Sequence, residues 1–301
     1  MTAVPPVDLR TPCRVLRSGK WDAAQATAAQ FGLELRHDGL LSNAPPGIAL
    51  ACDPATLSAW PGAIEVEDLL LTSPLIGAAD LNAAERFDGR LTVTVDHFMH
   101  IETLLTRTWQ TPPRVVVELA LGPARFGGRP GRDAADLANV IADGPLTFAG
   151  VSSTVASRGM AEQFHRAVEA LQRSGHASEF RSVAAEPEHY EGLTGMTEVR
   201  GSVSASSPLA VRVLSRPSLE TAVVDAGTAA GLRLKQTLPV SRWTGRAMGT
   251  AKTRAVEGSR SLLTLNDAAT DLLIGDVVLL QSDDDAALGE FVPRTFVTGE
   301  S

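Results

Sequence analysis

The stretch LTVTVDHFMHIETLLTRTWQTPPRVVVELAL (91–121) sets the pattern of the chain. Two near-continuous apolar runs, LTVTV (91–95) and RVVVELAL (114–121), flank a segment, HFMHIETLLTR, that reads as a helix. Asp96, just before that segment, reads as its N-cap. Unbroken apolar runs, rather than strict alternation, suit strands buried on both faces.

Working outward, the same texture recurs. Strand-like runs are CRVLR (13–17), LELR (33–36), GIALA (47–51), DLLLT (68–72), TFAGV (147–151) and EFRSV (179–183). With the first two, eight runs separated by helical patterns predict a parallel (β/α)8 barrel of the α/β class over residues 1–200. The helices have one apolar face: Ala134, Leu137, Ala138 and Ile141 fall at i, i+3, i+4 and i+7, as do Phe164, Ala167, Val168 and Leu171. An alanine-rich segment, KWDAAQATAAQF, predicts a further helix over 20–31. One unit is short. HDGLLSNAPP, between LELR and GIALA, is too brief for a parallel crossover. Either the barrel lacks one helix there, or one strand is misassigned.

After residue 200 the runs LAVRVLS, ETAVVDAG, RSLLTLN, DVVLLQ and GEFVPRTFV carry little helical periodicity, which predicts an all-β domain over 201–301. The 301 residues are 44% hydrophobic and 21% charged, enough apolar material for a sizeable core. A net charge of −8 argues against nucleic acid or an anionic membrane as main partner. No apolar run is long enough to span a membrane, the start lacks a signal-peptide pattern, and the expected location is the cytoplasm. Two cysteines, Cys13 and Cys52, lie in apolar runs and read as buried thiols.

Several segments together resemble the D-threonine aldolase and D-serine dehydratase family. They are DLRTPCRVL (8–16), DLLLTSPLIGAADL (68–81), ELALGPARFGGRPG (118–131), TGMTEVRGS (194–202), VVDAG (223–227) and IGDVVLL (274–280). The resemblance implies the alanine-racemase fold: a (β/α)8 barrel, then a β-domain, with pyridoxal phosphate (PLP) at the barrel mouth. It implies that Arg125 lies near the cofactor ring. It implies a divalent metal at Asp283 and Asp285, and two carboxylates favour Mg²⁺ or Mn²⁺. It also implies pairing of two chains, as a homodimer or with an intact family member. Read from the residues alone, Asp283, Asp284 and Asp285 fit a polar hairpin loop better than a metal site.

The cofactor chemistry departs from the family. Its Schiff-base lysine falls on LRHDGLL (35–41), at Gly39 or Leu40, where no lysine stands. Its glycine-rich phosphate loop falls on SVAAEP (182–187), which has no glycine and carries Glu186. Its "Y-x-G-H" stretch falls on SSTVAS (152–157). The chain's three lysines are Lys20, Lys235 and Lys252. The expectation is a degenerate, PLP-independent homologue, a non-catalytic subunit of an oligomer. The alternative is a PLP-free lyase or isomerase acting on a small amino-acid-like or carboxylate substrate. There His37 or Asp38 serves as base, Arg125 as carboxylate holder and Asp283 with Asp285 as metal ligands. A third reading is non-covalent binding of PLP. His97 and His100, with Asp96, form a DHxxH pattern that reads either as helix-start residues or as a histidine pair on one face.

Overall fold

The computed structural model describes residues 13–38, 41–42, 47–59, 66–121, 127–185, 187–201, 208–281 and 294–297. In chain order its first elements are β1 (Cys13–Arg17), α1 (Ser18–Gln30), β2 (Glu34–Asp38), β3 (Leu41–Ser42), β4 (Ala49–Cys52), α2 (Pro54–Ala59) and β5 (Asp68–Leu71). There follow α3 (Ala78–Glu85), β6 (Arg90–Val95), α4 (Phe98–Leu105), β7 (Arg114–Glu118), α5 (Arg132–Ala142), β8 (Thr147–Thr154), α6 (Arg158–Arg173), β9 (Phe180–Ala184) and β10 (Glu198–Gly201). The β region comprises β11 (Leu209–Ser218), β12 (Thr221–Val224), β13 (Thr237–Arg242), β14 (Ala247–Val256), β15 (Ser261–Leu265), β16 (Val277–Leu280) and β17 (Arg294–Val297).

Eight parallel strands close into a barrel in the order β10-β2-β4-β5-β6-β7-β8-β9. The apolar runs that predicted it are buried: all four residues of β5 are, and Val115, Val116 and Val117 of β7 are fully so. Outside, α5 buries Ala134, Leu137, Ala138 and Ile141, the face read from the sequence. In α6 the same holds for Phe164, Ala167, Val168 and Leu171, with Ala161 added. Burying a side chain such as Phe164 stabilises by about 1.5–3 kcal/mol.

One strand is corrected. CRVLR is not a barrel strand: β1 pairs antiparallel with β11, Cys13 opposite Ala210, and parallel with β17, Arg14 opposite Arg294. The eighth barrel strand is β10, between β9 and β2. Its inward residues are Glu198 and Arg200, so it lacks the apolar run that marks the other strands. The chain divides into two compact units, with residues 1–21 and 41–43 grouped with the C-terminal strands. One compact unit is 22–40 with 44–202, and the other is 1–21, 41–43 and 203–301.

The short connection also resolves. β2 pairs directly with β4, His37 opposite Leu50, and β3 between them pairs with β17 in the other unit's sheet. Among the described residues of that connection there is no helix.

In the second unit, β12, β15, β14, β13, β16 and β11 pair in sequence, and β11 pairs again with β12. This closes a six-stranded antiparallel barrel around Val211, Val213, Leu238, Val240, Leu263 and Leu280. The sheet continues from β11 through β1 and β17 to β3. Gly227 sits where its backbone meets another closely: a Cβ there would lie 1.8 Å from the carbonyl oxygen of Glu257.

Candidate functional site at the barrel mouth

Successive residues of a strand face opposite sides of the sheet, so every second side chain of a closed barrel enters its interior. The middle of the interior is apolar, where Ala51, Leu70, Val116 and Ala149 pack with Phe180.

Where the strands begin, the interior is polar and paired. Arg36 of β2, 2% exposed, reaches Oδ1 of Asp68 at 3.0 Å and Oε2 of Glu198 at 2.8 Å. It also donates to the carbonyl oxygen of Leu50, and its guanidinium lies 5.6 Å from the Phe180 ring centroid. The second oxygen of Glu198 accepts from Ser182. Asp68 further holds Arg90 at 2.7 Å and Arg114 at 3.6 Å. Burial alone lowers the Arg36 pKa, but Glu198 and Asp68 outweigh it and hold it above its ordinary value. Arg114 is pulled below its own, first by burial and then by Arg90 and Arg36, against the opposing pull of Asp68.

Where the strands end, at the mouth, a second polar group forms. Glu118 closes β7 and is partly buried, and the Ser152 hydroxyl of β8 donates to its carboxylate. Ser152 reaches the interior through a bulge. Phe148 faces Val115 but Gly150 faces Val116, so Ala149 is an extra residue. Ala149 and Ser152, three apart, therefore both point inward. Only glycine fits at the bulge: Gly150 has φ +151°, and a Cβ would lie 1.9 Å from the carbonyl oxygen of Phe180.

Arg200 of β10, 6% exposed, donates through Nη2 to the carbonyl oxygen of Ser153 at 3.0 Å. Its Nε is buried and has no hydrogen-bond partner among the described residues. Asp96, just past β6, pairs with Nδ1 of His100 at 2.9 Å. Burial pushes the Glu118 carboxyl above the ordinary carboxylate range. Arg200 and the Ser152 hydrogen bond pull it down, Asp96 adds to the rise, and the net direction is up.

The residues expected from sequence fall out as follows. His37 is fully buried. It alternates with inward Arg36, so it lies on the outer face with Leu35, which faces Tyr190 across Gly201. Asp38 ends β2, at the mouth, but its side chain is outside the described residues, as are Gly39, Leu40, Arg125, Glu186, Asp283 and Asp285. Asp96 is not the N-cap of α4. His97 is, its Nδ1 accepting from the backbone N–H of Met99 at 3.2 Å, while Asp96 turns to His100. Cys52 is buried, as expected. Among the described residues no group of three His, Cys, Asp or Glu side chains is placed to hold a metal ion. No described helix is long and apolar enough to cross a membrane.

Glu118 and Arg200 stand in segments that carry the family resemblance, yet sequence reading did not single them out. Their signal is position: an acid at the end of one barrel strand and an arginine near the end of another, both on the inward alternation.

No family model matches the chain, and no curated protein matches it in sequence. Solved structures do match in fold. The D-threonine aldolase of Filomicrobium marinum superposes with a TM-score of 0.57 at 18% identity, over 91% of this chain and 87% of that one. The D-threo-3-hydroxyaspartate dehydratase of Delftia sp. HT23 gives 0.57 at 18%, over 97% and 95%. The alanine racemase of Clostridium difficile 630 gives 0.63 at 12%, over 97% of each chain. The chain thus has the alanine-racemase fold, a parallel barrel with an antiparallel β unit.

The cofactor that the resemblance implies does not fit the residues present. A Schiff base requires a lysine, and the barrel unit, Asp22–Leu40 with Ala44–Ser202, contains none. Lys235 and Lys252 are exposed in the β unit. The end of β9 and the residue after it offer Ala184 and Ala185 where a phosphate cradle would present glycine.

Proposed function

We propose that this chain is a PLP-independent homologue of the D-threonine aldolase and D-serine dehydratase group, acting as a non-catalytic subunit of an oligomer. One observation carries the reading: the barrel unit has no lysine. PLP catalysis in this fold proceeds through a covalent bond to an amine that no residue of the unit supplies. The partner is a second copy of the chain or an intact, lysine-bearing relative.

The test is a visible spectrum of purified protein incubated with PLP, before and after borohydride reduction and dialysis. The expected result is the spectrum of free PLP, washed away completely. An aldimine band that reduction fixes to the protein would overturn the reading. So would turnover of a D-β-hydroxy amino acid by the chain alone.

A second reading is favoured by Glu118. A carboxyl raised by burial at the end of a barrel strand, with the Ser152 hydroxyl donating to it, is a candidate for proton transfer. On that reading the mouth runs a PLP-free lyase or isomerase reaction on a small amino-acid-like or carboxylate substrate, with Asp38 as base and Arg125 as carboxylate holder. Mg²⁺ or Mn²⁺ at Asp283 and Asp285 belongs to this reading. It requires activity that Asp283→Ala abolishes, and activity unaffected by metal removal would discard the metal.

A further inference from the structure

The floor of the barrel, where the strands begin, carries an uneven charge. Three guanidiniums, those of Arg36, Arg90 and Arg114, share two carboxylates, those of Asp68 and Glu198. Arg36 reaches both carboxylates, and Arg90 approaches Oδ2 of Asp68 at 2.7 Å. Arg114 takes what is left. Its nearest carboxylate oxygen is that same Oδ2, 3.6 Å away, and its hydrogen bond among the described residues goes to the neutral hydroxyl of Thr92. Its Nε is buried and has no acceptor among the described residues. Arg36 and Arg114 also crowd one ring, with guanidiniums 5.6 and 5.7 Å from the Phe180 centroid. A partly buried cation in excess of its counter-ions is costly, and such charges are ordinarily matched by an anion.

Arg114 and Arg90 line a cavity of about 370 Å³ between the turn that leads into β6 and the loop that leads into β7. Phe87, Trp109 and Pro112 supply its apolar wall. Trp109 is held in place, its indole N–H donating to the carbonyl oxygen of Leu104 at 2.9 Å. The volume suits a small molecule. Two carboxylates also line the cavity. Glu85 has Arg107 at 3.4 Å, and Asp88 is exposed to solvent, which screens it. The floor therefore offers one unmatched positive charge beside aromatic surface, and Asp88 opposes a second negative charge on a ligand. That combination selects a monoanion with a flat apolar body.

We propose that this cavity binds an aromatic monocarboxylate, its carboxylate paired with Arg114 and Arg90 and its ring against Trp109 and Phe87. The cavity lies at the strand starts, at the other end of the barrel from the mouth, and the inference does not rest on the PLP-independent reading.

The test is a fluorine NMR titration of the full chain with 4-fluorobenzoate at constant ionic strength. Saturable binding is expected. The neutral analogue 4-fluorobenzamide is expected to bind at least about tenfold more weakly, because it cannot form the ion pair. Sulfate at equal concentration is expected not to displace 4-fluorobenzoate. Arg114→Gln is expected to weaken binding about tenfold or more. Thr111 lines the same cavity and is exposed, so Thr111→Glu adds a carboxylate there without removing any group of the floor cluster. It is expected to weaken binding to a similar degree, a readout that stands if the Arg114 variant does not fold. Absence of saturable binding overturns the proposal. So does equal affinity for the amide, displacement by sulfate, or binding that Thr111→Glu leaves unchanged. Binding lost in Glu118→Gln but kept in Thr111→Glu would put the ligand at the mouth and overturn it as well. A reducible aldimine would overturn the PLP-independent reading and leave this inference standing.

Discussion

Arg36 and Arg200 face each other in register on neighbouring parallel strands, both inside one barrel, and their side chains part company. Arg36 runs to groups at the strand starts, Asp68 and Glu198, and is charge-matched. Arg200 runs to groups near the strand ends, donating to the carbonyl oxygen of Ser153 with Glu118 near enough to feel its charge, and among the described residues it makes no ion pair. The residue type, the sheet and the depth are shared, so the difference lies in the partners. A polar cluster that closes on itself is part of the scaffold. The upper arginine is held by a single neutral acceptor among the described residues. The asymmetry matches the general division of labour in parallel barrels, in which the N-terminal ends serve stability and the C-terminal ends serve chemistry.

Three substitutions probe the comparison. The largest effect is expected for Arg36→Met, which strands Asp68 and Glu198 without their shared cation. Denaturant unfolding should register a loss of about 3–5 kcal/mol. A loss under about 1 kcal/mol would mean that the lower cluster is no scaffold. Arg200→Met should cost less, about 1.5–3 kcal/mol, because among the described residues it loses the bond to Ser153 and strands no carboxylate within pairing distance. If the two variants prove equally destabilised, the upper arginine is as fully partnered as the lower one and the contrast fails.

Glu118→Gln should give the smallest change, and its sign is informative. The folded state holds the Glu118 proton more tightly than the unfolded chain does. Its contribution to stability is therefore present below the ordinary carboxylate range and declines as pH rises through that range toward the elevated folded value. Above that window the glutamine variant should be slightly more stable than the parent, and below it the advantage should vanish. Thermal melts at a series of pH values measure the difference, and a variant less stable at high pH would contradict the assignment.

Much of this fold was legible because parallel strands buried on both faces advertise themselves as apolar runs. LTVTV, RVVVELAL and DLLLT are of that kind. The reading failed where a barrel strand is not apolar. β10 presents Glu198 and Arg200 to the interior, tolerable only because Arg36, Ser182 and Ser153 receive them from distant parts of the sequence. Pattern alone also cannot say which sheet a strand joins, and CRVLR was assigned to the wrong one. The site was less legible still. His37 was read as a base from its place at a strand end, but alternation from Arg36 turns it to the outer face. Glu118 carries no sequence signal beyond its position, because its environment is made by Ser152, Arg200 and Asp96 rather than by its neighbours in sequence.

The placement of β1 has a consequence for how the protein is made. Synthesis delivers β1 before the whole barrel, yet its partners, β11 and β17, emerge only after it, with Arg14 waiting for Arg294. Closing so long a loop costs entropy that local pairing does not, and such contacts form late. On the ribosome the segment around Cys13–Arg17 is an unpaired strand edge for most of translation, a template to which another nascent chain can add. Deleting it would also cut the sheet between β11 and β17 rather than trim its border. The sheet of the β unit thus takes one strand from before the barrel and one from near residue 295, and a fragment cut at residue 200 separates β1 from both of its partners.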